Sequence, residues 1–226
     1  MKIVCISDSH NQHRKFRVPD GDLLIHAGDA TGEGSFKEVA AFLCWLDGLP
    51  HRHKILVAGN HDFLFERHPD IATLLLQDHP RITYLQDSGC EVEGLRIWGS
   101  PWQPWFMDWA FNLPRGGQGL HEVWNKIPVE TDVLVTHCPP HGVLDQVGQG
   151  EHLGCEELAI RLAKVKPRLH VFGHIHDGAG RIRRRGTTFV NASVCDEDYL
   201  PLNPAVVVRL KASEHRGRGP CEGQTT

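Results

Sequence analysis

The chain has 226 residues, 40% of them apolar and 23% charged, enough to bury a sizeable core and ordinary for a globular protein. Its net charge of −4 argues against broad attraction to nucleic acid or an anionic membrane, and no apolar run approaches the roughly 20 residues of a membrane span. Seven scattered cysteines without a C-x-x-C pair suit a reducing compartment. The N-terminal run Ile3–Ile6 is too short for a signal-peptide core, so a cytoplasmic location is expected.

In chain order, short runs rich in Ile, Val and Leu predict buried strands at Lys2–Ser7, Asp22–His26, Lys54–Ala58, Asp132–Thr136 and Leu169–Phe172. Between them, helical spacing marks Phe36–Leu46, with Ser35 placed as N-cap, and Leu153–Val165. This alternation implies helices packed on sheets. Gly99–Gly119 breaks the pattern with Trp102, Trp105, Phe106, Trp109 and Phe111 among Pro and Gly, and reads as a long aromatic loop. Arg181–Arg185 and Thr187–Asn191 predict a hairpin through Gly186, its arginines on an exposed face rather than on a nucleic acid, and Pro204–Leu210 a last strand. A single domain over 1–210 is expected, with no internal repeat, followed by a polar, Gly-rich tail at 211–226 expected to be disordered.

The residues directly after the five buried runs carry the chemistry. They are, in turn, Asp8-Ser9-His10, Ala27-Gly28-Asp29, Gly59-Asn60-His61-Asp62, His137 and Gly173-His174-Ile175-His176. Each piece alone has an ordinary reading. Asp8 and Asn60 suit turns or helix N-caps, Gly28-Asp29 a turn, His61 a cap and His137 an exposed loop before Pro139. An isolated H-x-H pair such as His174 and His176 is also common on surfaces. Those readings would all have to hold together, five times, always after a strand. Ligands bind at the carboxyl ends of strands in open α/β sheets, where residues distant in sequence converge. Most of the other histidines lie in polar or Pro-flanked stretches; His26 and His170 are expected to pack within strands, while His141 and His152 are left open, His141 being close enough in sequence to His137 to stand behind it.

With these five motifs in this order, the sequence resembles the calcineurin-like metallophosphoesterase superfamily. The stretches "GSPWQPWFMDWAFN" (99–112) and "THCPPHG" (136–142) further resemble its small metallophosphoesterase-domain-containing subgroup, linked with phosphodiester hydrolysis. The resemblance implies a four-layer α/β/β/α sandwich of two mixed sheets flanked by helices, with two metal ions at the strand ends. It implies that Asp8, His10, Asp29 and His176 hold the first metal. Asp29 would bridge to the second, completed by Asn60, His137 and His174. His61 would face the phosphate as a catalytic group, oriented by Asp62. A hydroxide bridging the ions would attack in line.

The donor set agrees with this chemistry. Carboxylate, imidazole and amide oxygen without thiolate suit Mn, Fe, Zn or Ni, with Mn favoured for activity. Cys138, next to His137, is expected to point away into the sheet. No basic groove argues for a polynucleotide, so the expected substrate is a small phosphodiester, such as a cyclic nucleotide, with Asn60, His61 and Trp105 contacting it. A phosphomonoesterase, or a metal-binding module without catalysis, are the alternatives. Retention of both His61 and Asp62 argues against the silent module. The oligomeric state is left open.

Overall fold

Each predicted apolar run becomes a strand in the computed structural model, which describes residues 1–211. The elements begin β1 (Lys2–Ile6), β2 (Leu23–Ala27), α1 (Phe36–Gly48), β3 (His53–Val57), α2 (Phe63–Arg67), α3 (Pro69–Gln77), β4 (Ile82–Tyr84), β5 (Ser88–Val92) and β6 (Leu95–Ser100). Next comes a short ribbon, β7 (Gln103–Pro104) with β8 (Asn112–Leu113), then α4 (Gln118–Asn125), β9 (Val133–Thr136) and a second ribbon, β10 (Gln146–Val147) with β11 (Glu151–His152). The order closes with α5 (Glu156–Val165), β12 (Leu169–Phe172), a 3-10 turn at His176–Gly178, β13 (Gly180–Arg184), β14 (Thr187–Asn191) and β15 (Val206–Arg209).

Two mixed sheets result. One has the order β15-β1-β2-β3-β4, parallel except where β15 runs antiparallel to β1. The other has the order β13-β14-β12-β9-β6-β5, parallel in its centre and antiparallel at both edges. Side chains alternate across a strand, and here both faces are apolar, so each sheet is covered twice. Ile3, Ile25 and Ile55 from the first sheet meet Ile97, Val133 and Val171 from the second. The opposite face of the first sheet, with Val4, Leu24 and Leu56, takes Phe42, Leu43 and Leu46 of α1. The opposite face of the second, with Leu134 and Phe172, takes Trp124 of α4 and Leu158 and Leu162 of α5. The layers are therefore α/β/β/α, as the resemblance implied, and each fully buried Leu or Ile contributes about 1.5–3 kcal/mol.

Local chemistry sets the boundaries. Ser35 caps α1 in a capping box: Glu38 N–H donates to its hydroxyl, and the Glu38 carboxylate accepts from the Ser35 N–H. The helix predicted from Leu153 starts later, at Glu156, because Glu151 and His152 pair with β10 instead. The region 99–119 is not a bare loop either. Gln103–Pro104 pairs with Asn112–Leu113, and Asn112 Nδ2 donates to the carbonyls of Phe106, Met107 and Trp109, closing the segment between them. The arginine-bearing strand β13 forms the expected hairpin with β14. The expectation for the tail concerns residues that, apart from Lys211, lie outside those described.

Candidate metal centre and its cleft

The parallel strands bring their carboxyl ends to one edge, where the two sheets join through hydrogen bonds. His137 Nδ1–H, after β9, donates to the Ala27 carbonyl of β2 at 3.0 Å. The His174 N–H, after β12, donates to both oxygens of Asp8, after β1, at 3.0 and 3.1 Å. All seven predicted ligands therefore meet. Potential ligand atoms of Asp8, His10 and His176 lie within 4.8 Å of one another, as do those of Asp29, His137 and His174. Asp29 lies between the trios: its Oδ2 is 3.7 Å from His10 Nε2 and 3.4 Å from His137 Nε2, while Oδ1 accepts the His61 N–H at 2.8 Å. Asn60 joins the second trio, its Oδ1 2.8 Å from His137 Nε2.

The backbone is held in unusual shapes to achieve this. Asp8, His10, Asp29 and His174 have φ of 53°, 37°, 53° and 68°, the left-handed region that L-residues rarely adopt. Such conformations cost of order 1–3 kcal/mol each and persist where the surroundings over-determine them. A Cβ on Gly173 would strike Asp8 Oδ2, and one on Gly59 would strike Asp29 Oδ1. Those glycines are the space the carboxylates occupy.

Ring orientations are fixed from behind. His137 Nδ1–H donates to Ala27 O, His176 Nδ1–H to Asp196 O and His61 Nδ1–H to Gly32 O. In each neutral ring the Nε2 lone pair is then left for the centre, the arrangement that orients metal-bound imidazoles. Asp8 is seated by the Ser193 hydroxyl, which donates to its Oδ2 at 2.8 Å. Burial alone would raise the Asp8 carboxyl, but the hydrogen bond and charge of His176 hold it well below the usual carboxylate range. Burial likewise opposes charge on His137 and His176, yet Asp29 and Asp8 respectively push them up to about 9. Burial pushes His10 down to about 4 and His174 to about 3. The two carboxylates thus demand positive charge, supplied by protons on two rings or by cations in their place. His10 and His176 present their Nε2 atoms to each other at 3.3 Å, the separation of two donors to a shared cation. The residues fit metal ions.

A family model described as calcineurin-like phosphoesterase matches residues 1–178. The chain belongs to that family. Over 231 aligned positions this phosphoesterase is 45% identical to metallophosphoesterase domain-containing protein 1 of Homo sapiens, covering 92% of this chain and 71% of that protein. It is 39% identical to a UPF0046 protein of Caenorhabditis elegans over 87% of this chain and 71% of that one. The crystal structure of phosphopantetheinyl hydrolase from Mycobacterium tuberculosis shares the fold, with TM-score 0.62 over 91% of this chain and 95% of that one, at 17% identity. The chain is accordingly a metal-dependent phosphoester hydrolase.

Two expectations about side chains in this phosphoesterase need correction. Asp62 does not orient the His61 ring. Its carboxylate is buried and accepts from the N–H groups of Gly59, Ala30 and Thr31 and from the Thr31 hydroxyl, binding the second and third strand ends together. Burial, with the charge of Asp29, still pushes it up to about 6. The ring of His61 is held by Gly32 O instead, and its Nε2 lies 4.0 Å from Asp29 Oδ2. Trp105 lies outside the cleft beside the centre: its N–H pairs with Leu113 and its side chain is exposed. Trp109 takes the place expected of it, its ring centroid 4.2 Å from that of His61. His141, left open by the sequence, is exposed, its ring tilted against that of His152 with centroids 5.4 Å apart. Cys138, as expected, is buried in the core beneath the second sheet.

The cleft holds about 500 Å³ and is lined by His10, Asp29, Asn60, His61, His174 and His176 at its base. Phe106, Trp109 and Tyr199 form apolar walls, and Asp177 and Glu197 an acidic side. Tyr199 was not foreseen; its ring stands 4.7 Å from that of His10 and 5.7 Å from that of His176. Asn191 and Ser193, which seat Asp8, were also missed. They lie at the end of β14, a sixth strand end to which the same rule applied.

Proposed function

We propose that this phosphoesterase hydrolyses small phosphodiesters, cyclic nucleotides among them, with Mn, Fe, Zn or Ni in the two ligand clusters and Mn giving the highest activity. One observation carries the preference for diesters. Among the described residues, no Lys or Arg lines the cleft, whereas Asp177 and Glu197 do. A diester brings one negative charge and a monoester up to two near neutral pH, so an acidic wall without basic partners penalises the monoester more. The aromatic walls supply apolar contact for the organic part of the substrate, on which a base or another flat or cationic group can lie.

When bound, the metal ions would stabilise phosphoryl charge and acidify water. The chain's own residues do the rest. Asn60 Nδ2 is buried, lacks a partner among the described residues and belongs to the cleft lining, so it is available to a phosphoryl oxygen. His61 keeps its Nδ1 proton on Gly32 O, which leaves Nε2 as the atom that carries a proton to the leaving alcohol. Trp109 packs on this ring and limits water around it. The free thiols of all six described cysteines suit the reducing, cytoplasmic setting proposed with this activity.

The test compares bis-p-nitrophenyl phosphate with p-nitrophenyl phosphate under added Mn²⁺. Faster turnover of the diester is expected. A preference for the monoester contradicts the reading, and turnover of neither with two metals bound supports a silent binding module.

A further inference from the structure

The cleft carries more acid than metal binding uses. Asp177 and Glu197 both line the cleft. A neighbouring hollow of about 370 Å³ continues the acidic surface through Asp196 and Asp198. Among the described residues, no Lys, Arg or His forms an ion pair with Asp177, Glu197 or Asp198. The same cleft holds aromatic rings set around one another: between centroids, Phe106 lies 5.5 Å from Trp109, Trp109 lies 4.2 Å from His61, and Tyr199 lies 6.3 Å from His61. Among the described residues nothing pairs with Nδ2 of buried Asn60 in the same cleft, which leaves a donor for a substrate oxygen.

Aromatic faces beside unpaired carboxylates bind organic cations, because the ring quadrupole and the anionic charge both attract an ammonium that is weakly hydrated. We infer that the preferred substrates are phosphodiesters in which one alcohol carries an ammonium group, as in choline or ethanolamine esters, with the cation held between Trp109, Tyr199 and the Asp177–Glu197 pair. This rests on the phosphodiesterase reading and narrows it. Such an ester is zwitterionic: its phosphate lies at the histidine and aspartate base of the cleft, and its cation spans to the acidic wall. Polyanionic substrates meet repulsion at the same wall. A neutral nucleobase can use the rings but leaves the carboxylate pair unanswered.

The experiment uses the Mn²⁺-loaded protein and two diesters of equal shape, p-nitrophenyl phosphocholine and its 3,3-dimethylbutyl analogue, in which carbon replaces the quaternary nitrogen. The ratio of their kcat/KM values isolates the charge. A ratio on the order of tenfold in favour of choline is expected, as for a desolvated cation–π contact reinforced by carboxylates. The ratio should fall towards one in the Asp177→Asn, Glu197→Gln double variant and shrink in Trp109→Ala. Because each ratio is internal to one preparation, partial loss of folded protein does not alter it. Free choline should compete with the choline ester more effectively than 3,3-dimethylbutanol does. A wild-type ratio near one, with both esters turned over, overturns this inference and leaves the diesterase reading intact. Turnover of neither diester while p-nitrophenyl phosphate is hydrolysed overturns both. A double variant that keeps the choline ratio but loses Mn²⁺ affinity assigns the carboxylates to metal capture and also overturns it.

Discussion

Asp29 sits where the two ligand clusters meet, with one oxygen tied to the His61 backbone and the other facing His10 and His137. Asp29→Asn removes the charge both clusters rely on, so metal analysis should find both ions depleted and phosphodiester turnover lost. His61→Ala should leave metal content near that of the wild type while kcat falls by about 10²–10⁴-fold, the usual worth of a positioned proton donor. Loss of a metal ion from that variant would instead make His61 a ligand, which its 4.0 Å approach to Asp29 permits geometrically. At this scale the seven ligand candidates were legible because each directly succeeds an apolar run, and a strand end fixes where its successor points. Asp62, Trp109 and Tyr199 were read wrongly or missed because their roles depend on contacts across the fold. Asp62 bonds to residues about 30 positions away, and Tyr199 reaches His10 from beyond the last hairpin. Nothing local distinguishes Trp105 from Trp109; only the pairing of β7 with β8 decides which ring faces the cleft.

Elements position these residues by their ends. The boundaries legible in sequence were those with local causes: Ser35 with Glu38 at α1, and the β13–β14 turn at Gly186. The delayed start of α5 was not legible, since it results from the pairing of β11 with β10. Ser35→Ala should cost about 1 kcal/mol and lower Tm by a few degrees while both metal ions stay bound, because the capping box touches none of the seven ligand candidates. Gly173→Ala should do the opposite. Its methyl group would displace the Asp8 carboxylate, so the ion held by Asp8, His10 and His176 should be lost even where the circular dichroism spectrum remains native.

The whole molecule is two sheets locked face to face, and its stability has a pH dependence set by buried rings. His26 and His170 lie within β2 and β12, and burial pushes each from the ordinary 6.5 down to about 3. Both rings are neutral in the fold, donating from Nε2 to the hydroxyls of Ser9 and Thr136, which in turn donate to the Ala30 and Cys138 carbonyls. Below about pH 6.5 the unfolded chain takes up protons that the folded chain refuses, so stability falls with pH through that window, by up to about 1.4 kcal/mol per unit for each ring. Near pH 7 the raised His137 and His176 of the metal-free fold act in the opposite direction, so metal-free protein should show a Tm that declines from about pH 6 to pH 5; a flat profile there would contradict the burial of these rings. The central claim is that five strand ends on two sheets assemble one two-metal phosphoesterase centre. Its most direct test is titration of metal-free protein with Mn²⁺, tracking bound metal and diester hydrolysis in the same samples. Two ions per chain, with activity appearing as the second site fills, is the expected result. Saturation at one ion, or full activity without added or bound metal, would contradict it.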